Sequence, residues 1–196
     1  MSEGATRMFA FDSFAGRHAG RGPAAPGVIV ETRHAAAMCD LRGSPRNPDF
    51  LSEAAAAFGI ALPVEPNTAA GTNDARVLWL GPDEWLIVSA QPGKPLHSAR
   101  ITGGTLTDVG HGRGILRLSG PDARHALAKG CPLDLDPRRF AVDRCAQTAI
   151  ARINVALDHV APGVYDLYCP RSYAGSFWHW LTEAAAEYGC RVGRAA

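Results

Sequence analysis

The sequence predicts an α+β fold, two β-α-β-β-like halves packed together, and three observations carry that expectation. Short apolar runs are separated by Gly, Pro and Asp turns, as in Arg76-Val77-Leu78-Trp79-Leu80, then Gly81-Pro82-Asp83, then Glu84-Trp85-Leu86-Ile87-Val88. Ala-rich stretches of helical length interrupt the strands. The blocks also recur in order. Leu41-Arg42-Gly43, an Ala-rich helix, Gly59, Leu62, Pro66 and Ala75-Arg76-Val77 are echoed by Leu116-Arg117-Leu118-Ser119-Gly120, a helix, Gly130, Leu133, Pro137 and Ala151-Arg152-Ile153.

In chain order, residues 1–27 read as an N-terminal arm, rich in Gly, Ala, Arg and Pro, whose apolar content is Met8, Phe9, Phe11 and Phe14. Residues 28–196 read as one unit with halves at about 28–100 and 101–190. Val28-Ile29-Val30 opens a strand, and a second apolar stretch ends near Asp40-Leu41. The Pro-rich loop Ser44 to Asp49 leads into a helix from about Phe50 to Phe58, stopped by Gly59 and Pro63. After the 76–88 hairpin come strands at Thr105–Val109 and Ile115–Leu118. Ser119-Gly120-Pro121-Asp122 starts a helix, since proline suits the first helical position and an acid the positive helix end; Gly130 ends it. Thr148 to Leu157 reads as one strand and Val164 to Tyr168 as another. Ser172 is the expected cap of a last helix, roughly 173–188, closed by Gly189.

Composition excludes several classes. Of 196 residues 46% are hydrophobic and 20% charged, with a formal net charge of +1. No overall field draws such a chain to nucleic acid or an anionic membrane. Five cysteines without CxxC spacing read as reduced, mostly buried thiols, and no apolar run approaches the roughly 18 residues of a membrane span. The expectation is a cytoplasmic protein that meets neither nucleic acid nor membrane.

The search for chemistry finds decoys. Seven histidines form no HxH, HExxH or Cys/His cluster, so no metal site is expected. His111-Gly112-Arg113-Gly114 precedes a strand rather than a helix and reads as a turn, not a phosphate cradle. Lys129-Gly130-Cys131 matches a triplet of folate-binding proteins, but helix-end chemistry explains it: Lys129 suits the dipole, Gly130 the stop, and Pro132 bars continuation. Asp134, Asp136 and Asp143 sit among Arg138, Arg139 and Arg144, which favour ionised, salt-bridged carboxylates over an acid–base pair. Trp79, Trp85, Trp178 and Trp180 read as core or interface anchors. In the last helix Phe177, Trp180, Leu181, Ala184 and Tyr188 share one face, with Trp178 at its border.

Four ordered blocks carry a family resemblance: RVLWLGPDEWLIV (76–88), DVGHGRGILRLSGPDARHALAKGCPLDLDPRRF (108–140), QTAIARINVAL (147–157) and YDLYCPRSYAGSFWHWLTEAAAEYG (165–189). Over roughly residues 26–190 the chain resembles the gamma subunit of heterotetrameric sarcosine oxidase. The resemblance implies alpha, beta and delta partners in a complex that oxidatively demethylates sarcosine to glycine, forming hydrogen peroxide and methylenetetrahydrofolate. It implies FAD, FMN and NAD in the alpha and beta subunits, zinc in delta and tetrahydrofolate as one-carbon acceptor. It also implies a fold similar to the folate-binding domain of glycine-cleavage T proteins, including their strand-to-helix turn at Ser119 to Ala123. Asp108 matches a family Asp only loosely, because the Ser-His pair that should follow is replaced here by Val109-Gly110-His111.

The expectation is therefore a noncatalytic accessory subunit, with no catalytic, cofactor-binding or metal-binding residue of its own. Phe9, Phe11, Phe14 and Trp178 are the candidate interface residues. The rival readings are an independent folate-binding aminomethyl transferase, an iron–sulfur maintenance protein, a free-standing module for a small acid, and the gamma subunit of a related N-methyl amino acid oxidase or dehydrogenase.

Overall fold

The computed structural model describes residues 10–11, 13, 25–91 and 96–194. In it the strands are β1 (Val28–Arg33), β2 (Ala37–Gly43), β3 (Ala69–Gly71), β4 (Ala75–Gly81), β5 (Glu84–Ser89), β6 (Gly104–Asp108), β7 (Arg113–Ser119), β8 (Cys145–Ile150), β9 (Ile153–Ala161), β10 (Val164–Pro170) and β11 (Cys190–Arg194). The helices are α1 (Pro48–Phe58), α2 (Ala123–Ala128) and α3 (Ala174–Ala186). One sheet has the order β11-β1-β7-β10-β9-β8 and the other β3-β4-β5-β2-β6.

The two sheets are built alike. Read from the other edge, β8-β9-β10-β7-β1 matches β3-β4-β5-β2-β6 position by position. The units β2-α1-β3-β4-β5 and β7-α2-β8-β9-β10 therefore share a topology, and each takes in the strand that precedes the other. β1 leads into β2 but pairs antiparallel with β7, while β6 leads into β7 but pairs antiparallel with β2. No cut near residue 100 separates the sheets, because these two strands are exchanged.

Alternation along the strands sorts side chains into three cores. Cys39, Leu41, Val77, Trp85 and Ile87 face Phe50, Ala54 and Phe58 of α1. Met38, Leu78, Leu86 and Val88 of the five-stranded sheet meet Ile115, Cys145, Ala156 and Tyr168 of the six-stranded one. Val30, Leu116, Leu118, Leu157 and Leu167 face Ala126 and Leu127 of α2 and Phe177, Trp178 and Leu181 of α3. The layers run α1, five-stranded sheet, six-stranded sheet, then α2 with α3.

Local chemistry sets the boundaries. The Asn47 Oδ1 accepts from the Asp49 and Phe50 amides at 3.0 and 3.4 Å, so α1 starts at Pro48, two residues before the expected point. It stops where Gly59 turns left-handed at φ 74°. Ser172 caps nothing: Arg171–Tyr173 is a 3₁₀ turn running straight into α3, and no side-chain cap bond forms there. The expected single strand Thr148–Leu157 is instead the hairpin β8–β9. Its turn residues Ala151 and Arg152 take φ of 50° and 67° without glycine or asparagine, so the sequence carries no turn signal. Nor does it announce the short strands β3 and β11.

Candidate functional site

Charged residues within apolar strands converge where the two sheets face each other. Arg76 of β4 crosses to β9 and grips Asp158 bidentately, Nε and Nη2 each donating at 2.8 Å. Its Nη1 donates to Asp143 at 2.7 Å. Burial works against the Arg76 guanidinium, but the bonds and charges of Asp158 and then Asp143 hold it well above its ordinary value. Beside it, Asp166 of β10 accepts from Arg33 Nη1 at 2.7 Å and from Arg117 Nε and Nη2 at 2.7 and 2.8 Å. Asn73 completes the cluster, its backbone oxygen accepting from Arg33 and its side-chain oxygen from Arg117. Asp158 and Asp166 are almost wholly buried, and each charge is met by another of this chain.

At the other end the sheets part. The inner face of the six-stranded sheet is left uncovered and forms the floor of a groove of about 730 Å³, lined by Arg113, Gln147, Ala149, Asn154 and Pro170. Gln147 reaches the Leu80 carbonyl at 2.8 Å and ties the groove to β4. Near this end Glu84 lies with Asp40, and Arg42 Nη2 is 2.8 Å from Glu84. Burial, then the Asp40 carboxyl, pushes Glu84 up against the pull of Arg42 and Arg113.

The residues singled out in the sequence scatter. Phe9 and Phe14 lie outside the described residues. Phe11 and Trp178 come together, ring centroids 6.3 Å apart, in the core of this same chain at 2% and 5% exposure. Phe11 fits because the facing residue is Gly114, where a Cβ would sit 2.6 Å from its ring. The border position expected for Trp178 is thus corrected: Phe11 covers it. Trp180, expected on the core face, is only half-buried and lies over Gly130. Lys129 does not serve its own helix. Its Nζ donates to the Ala184 carbonyl in the last turn of α3 and pairs with Glu187, both at 2.6 Å, over the Tyr188 ring.

The other motifs resolve as local structure. Burial pushes the Cys131 thiol up, away from the thiolate a nucleophile needs. Asp108 accepts the Gly110 amide at 2.8 Å within the turn ahead of β7. Asp136 is held below the usual carboxylate range by hydrogen bonds from Arg138. Asp143 instead pairs with distant Arg76, and Arg144 with Glu65. Among the described residues no group of three His, Cys, Asp or Glu side chains is placed to hold a metal, and no helix is long and apolar enough to cross a membrane. Sequence reading passed over the Arg–Asp cluster. Its signal was present in single charges inside apolar strands: Arg76 in RVLWL, Arg117 in ILRLS and Asp166 in VYDLY.

Comparison with known proteins adds to this geometry. The model of the sarcosine oxidase, gamma subunit family matches residues 42–187. A sarcosine oxidase subunit gamma of Corynebacterium sp. (strain U-96) is 35% identical over 141 residues, 68% of this chain and 68% of that protein. A chain of the heterotetrameric sarcosine oxidase from Corynebacterium sp. U-96 is similar in structure at a TM-score of 0.84 and 29% identity, covering 93% of this chain and 96% of that one. The glycine cleavage system aminomethyltransferase T from Bartonella henselae shares the fold, at a TM-score of 0.59 and 11% identity, over 86% of this chain and 48% of its own length.

Proposed function

The chain belongs to the sarcosine oxidase gamma subunit family, and we propose that it is the noncatalytic gamma subunit of a heterotetrameric sarcosine oxidase. One observation carries this reading: the fold of a chain from such an oxidase is matched across nearly the whole length of both chains. The Arg–Asp cluster is self-neutralised and its two central carboxylates are buried, so it ties sheets together rather than offering an acid or base to a substrate.

In this reading the partners are alpha, beta and delta subunits. FAD, FMN, NAD and zinc reside in them, and tetrahydrofolate accepts the one-carbon unit there. The assembly converts sarcosine to glycine with release of hydrogen peroxide and formation of methylenetetrahydrofolate. Phe9 and Phe14 are the residues that meet a partner subunit in this reading, while Phe11 is seated on Trp178. Likeness to the aminomethyltransferase extends to fold alone and brings no folate site with it.

The test is co-expression of this chain with the flavoprotein subunits of its own source. Alone, the chain is expected to be colourless and to release no flavin, nicotinamide or stoichiometric metal on denaturation. Together, it is expected to co-elute with the yellow subunits, and the assembly to form peroxide when sarcosine is added. A flavin bound at equal stoichiometry to the isolated chain, or elution apart from the flavoproteins, overturns the reading.

A further inference from the structure

The groove at the open end has a lip with unused backbone hydrogen-bonding groups. β8 is an edge strand whose register with β9 runs from Cys145 opposite Asp158 to Ile150 opposite Ile153 across a two-residue turn. In such a hairpin Ile150, Thr148 and Ala146 bond to β9, while Cys145, Gln147 and Ala149 direct their N–H and C=O groups away from it. This chain already uses the first of those outward positions. The Cys145 amide donates to Asn67 at 3.0 Å, the Ala69 amide donates to Asp143 at 2.8 Å, and Thr68 bridges Arg144 antiparallel. Residues 67–69 thus pair with this edge as they run away from Gln147 into β3, and the chain ahead of them comes in through a turn in which Thr68 Oγ1 donates to the Glu65 carbonyl at 2.6 Å. Beyond that point the Gln147 and Ala149 backbone groups find no partner among the described residues. An exposed edge with open donors and acceptors is a template for another strand.

The groove floor carries an unmatched charge. Arg113 makes no side-chain hydrogen bond or ion pair among the described residues; Glu84 feels it only through space, having Arg42 at 2.8 Å. Between β8 and β7 lie β9 and β10, three inter-strand steps of about 4.8 Å each, so Arg113 stands roughly 14 Å across the floor from the lip. That distance is about four extended residues.

We infer that β8 and the groove beside it take an extended segment of a partner subunit. The segment adds to the edge at Gln147 and Ala149, continuing the line of residues 67–69. It then crosses the floor and places a carboxylate on Arg113. The inference rests on the proposed role as an oxidase subunit and names the surface that role uses.

Hydrogen exchange on the isolated chain and on the assembled oxidase tests it, alongside two variants. The Gln147 and Ala149 amides are expected to exchange at least 100-fold more slowly in the assembly. Ala149→Pro removes one outward donor while leaving the β8–β9 bonds, which an edge strand tolerates, and is expected to weaken assembly at least tenfold. Arg113→Glu is expected to weaken it at least threefold. Equal exchange at both amides in the free and assembled chain overturns the inference even if Ala149→Pro fails to fold. Wild-type assembly by Arg113→Glu removes the acidic segment. Self-association of the isolated chain that protects these amides assigns the edge to a second copy and sinks the partner-subunit claim. Failure of the wild-type chain to assemble sinks both the inference and the subunit reading, whereas assembly with unprotected edge amides sinks the inference alone.

Discussion

The two ends of the inter-sheet seam are made from the same strands and treat charge in opposite ways. At the closed end Arg33, Arg76 and Arg117 meet Asp158 and Asp166 in bonds of 2.7–2.8 Å, with Asn73 accepting further bonds from Arg33 and Arg117 and Asp143 from Arg76. At the open end, among the described residues, Arg113 meets no carboxylate, Asp40 Oδ1 is buried without a hydrogen bond, and two outward rungs of β8 have no partner. β7 spans both, carrying Arg117 at one end and Arg113 at the other. Charges matched within the chain serve the fold, and what is left unmatched is the place to look for another molecule. Removing each charge separately breaks or sharpens that contrast.

The largest effect belongs to the closed end. Arg76→Ala leaves Asp158 buried without its partner, which costs about 3–5 kcal/mol. For a chain of this size that is roughly 10 °C in Tm, read by calorimetry on the isolated subunit. Arg113→Ala in the same measurement is expected to stay within about 0.5 kcal/mol of wild type. Comparable losses from the two variants would erase the distinction between the ends. Asp143, the exposed partner of Arg76, marks the boundary: Asp143→Asn is expected to cost less than about 1 kcal/mol, because solvent screens that pair.

Next comes the backing of the open end. On the outer side of β7, next to Arg113, Gly114 receives Phe11, and Phe11 lies on Trp178. Trp178→Ala empties a buried site and is expected to cost about 3 kcal/mol, whereas half-buried Trp180→Ala costs less. If instead Trp180→Ala lowers Tm more, helical periodicity is a better guide to this layer than the covering arm. The comparison also shows how far Phe11 stiffens the strand that presents Arg113.

What the sequence disclosed follows from how local each cause is. Helix α1, the β4–β5 hairpin and the duplication of a strand–helix–strand unit are written in turn residues and short periodicities, and they are present, though each unit has three strands after its helix where the sequence suggested two. The β8–β9 turn is not, because Ala151 and Arg152 adopt left-handed backbone without the residues that favour it. The exchange of β1 and β6 depends on which sheet offers the better edge, a contact between residues about 90 apart in the case of Val30 and Leu118. Trp178 defeats helical periodicity for a similar reason: the side chain that buries it comes from residue 11, not from the sheet. Of the candidate site, the single charges in apolar strands were visible as anomalies. Their pairing was not, since Arg76 finds Asp158 across 82 positions. The open edge of β8 was hidden because the segment read as one strand.

The smallest expected effect concerns the carboxyl pair near the open end, and its sign is the informative part. Burial and the neighbouring Asp40 raise Glu84 above its ordinary value. A carboxyl raised in the folded state binds its proton more tightly there than in the unfolded chain. Its contribution is therefore fully present below the ordinary glutamate range and is lost as pH rises through the raised value. Above that value wild type has given that contribution up and holds the Glu84 charge beside Asp40, with the largely exposed Arg42 its contact among the described residues. Glu84→Gln removes the repulsion and loses a solvent-screened ion pair. The net expectation is a gain of roughly 0.5 kcal/mol at pH 7. Melting of both proteins should then converge as pH falls through that raised value, where wild-type Glu84 takes up its proton. A gap that stays constant with pH, or a variant less stable than wild type at pH 7, would mean that Arg42 governs Glu84 and that this end of the seam is as well matched as the other.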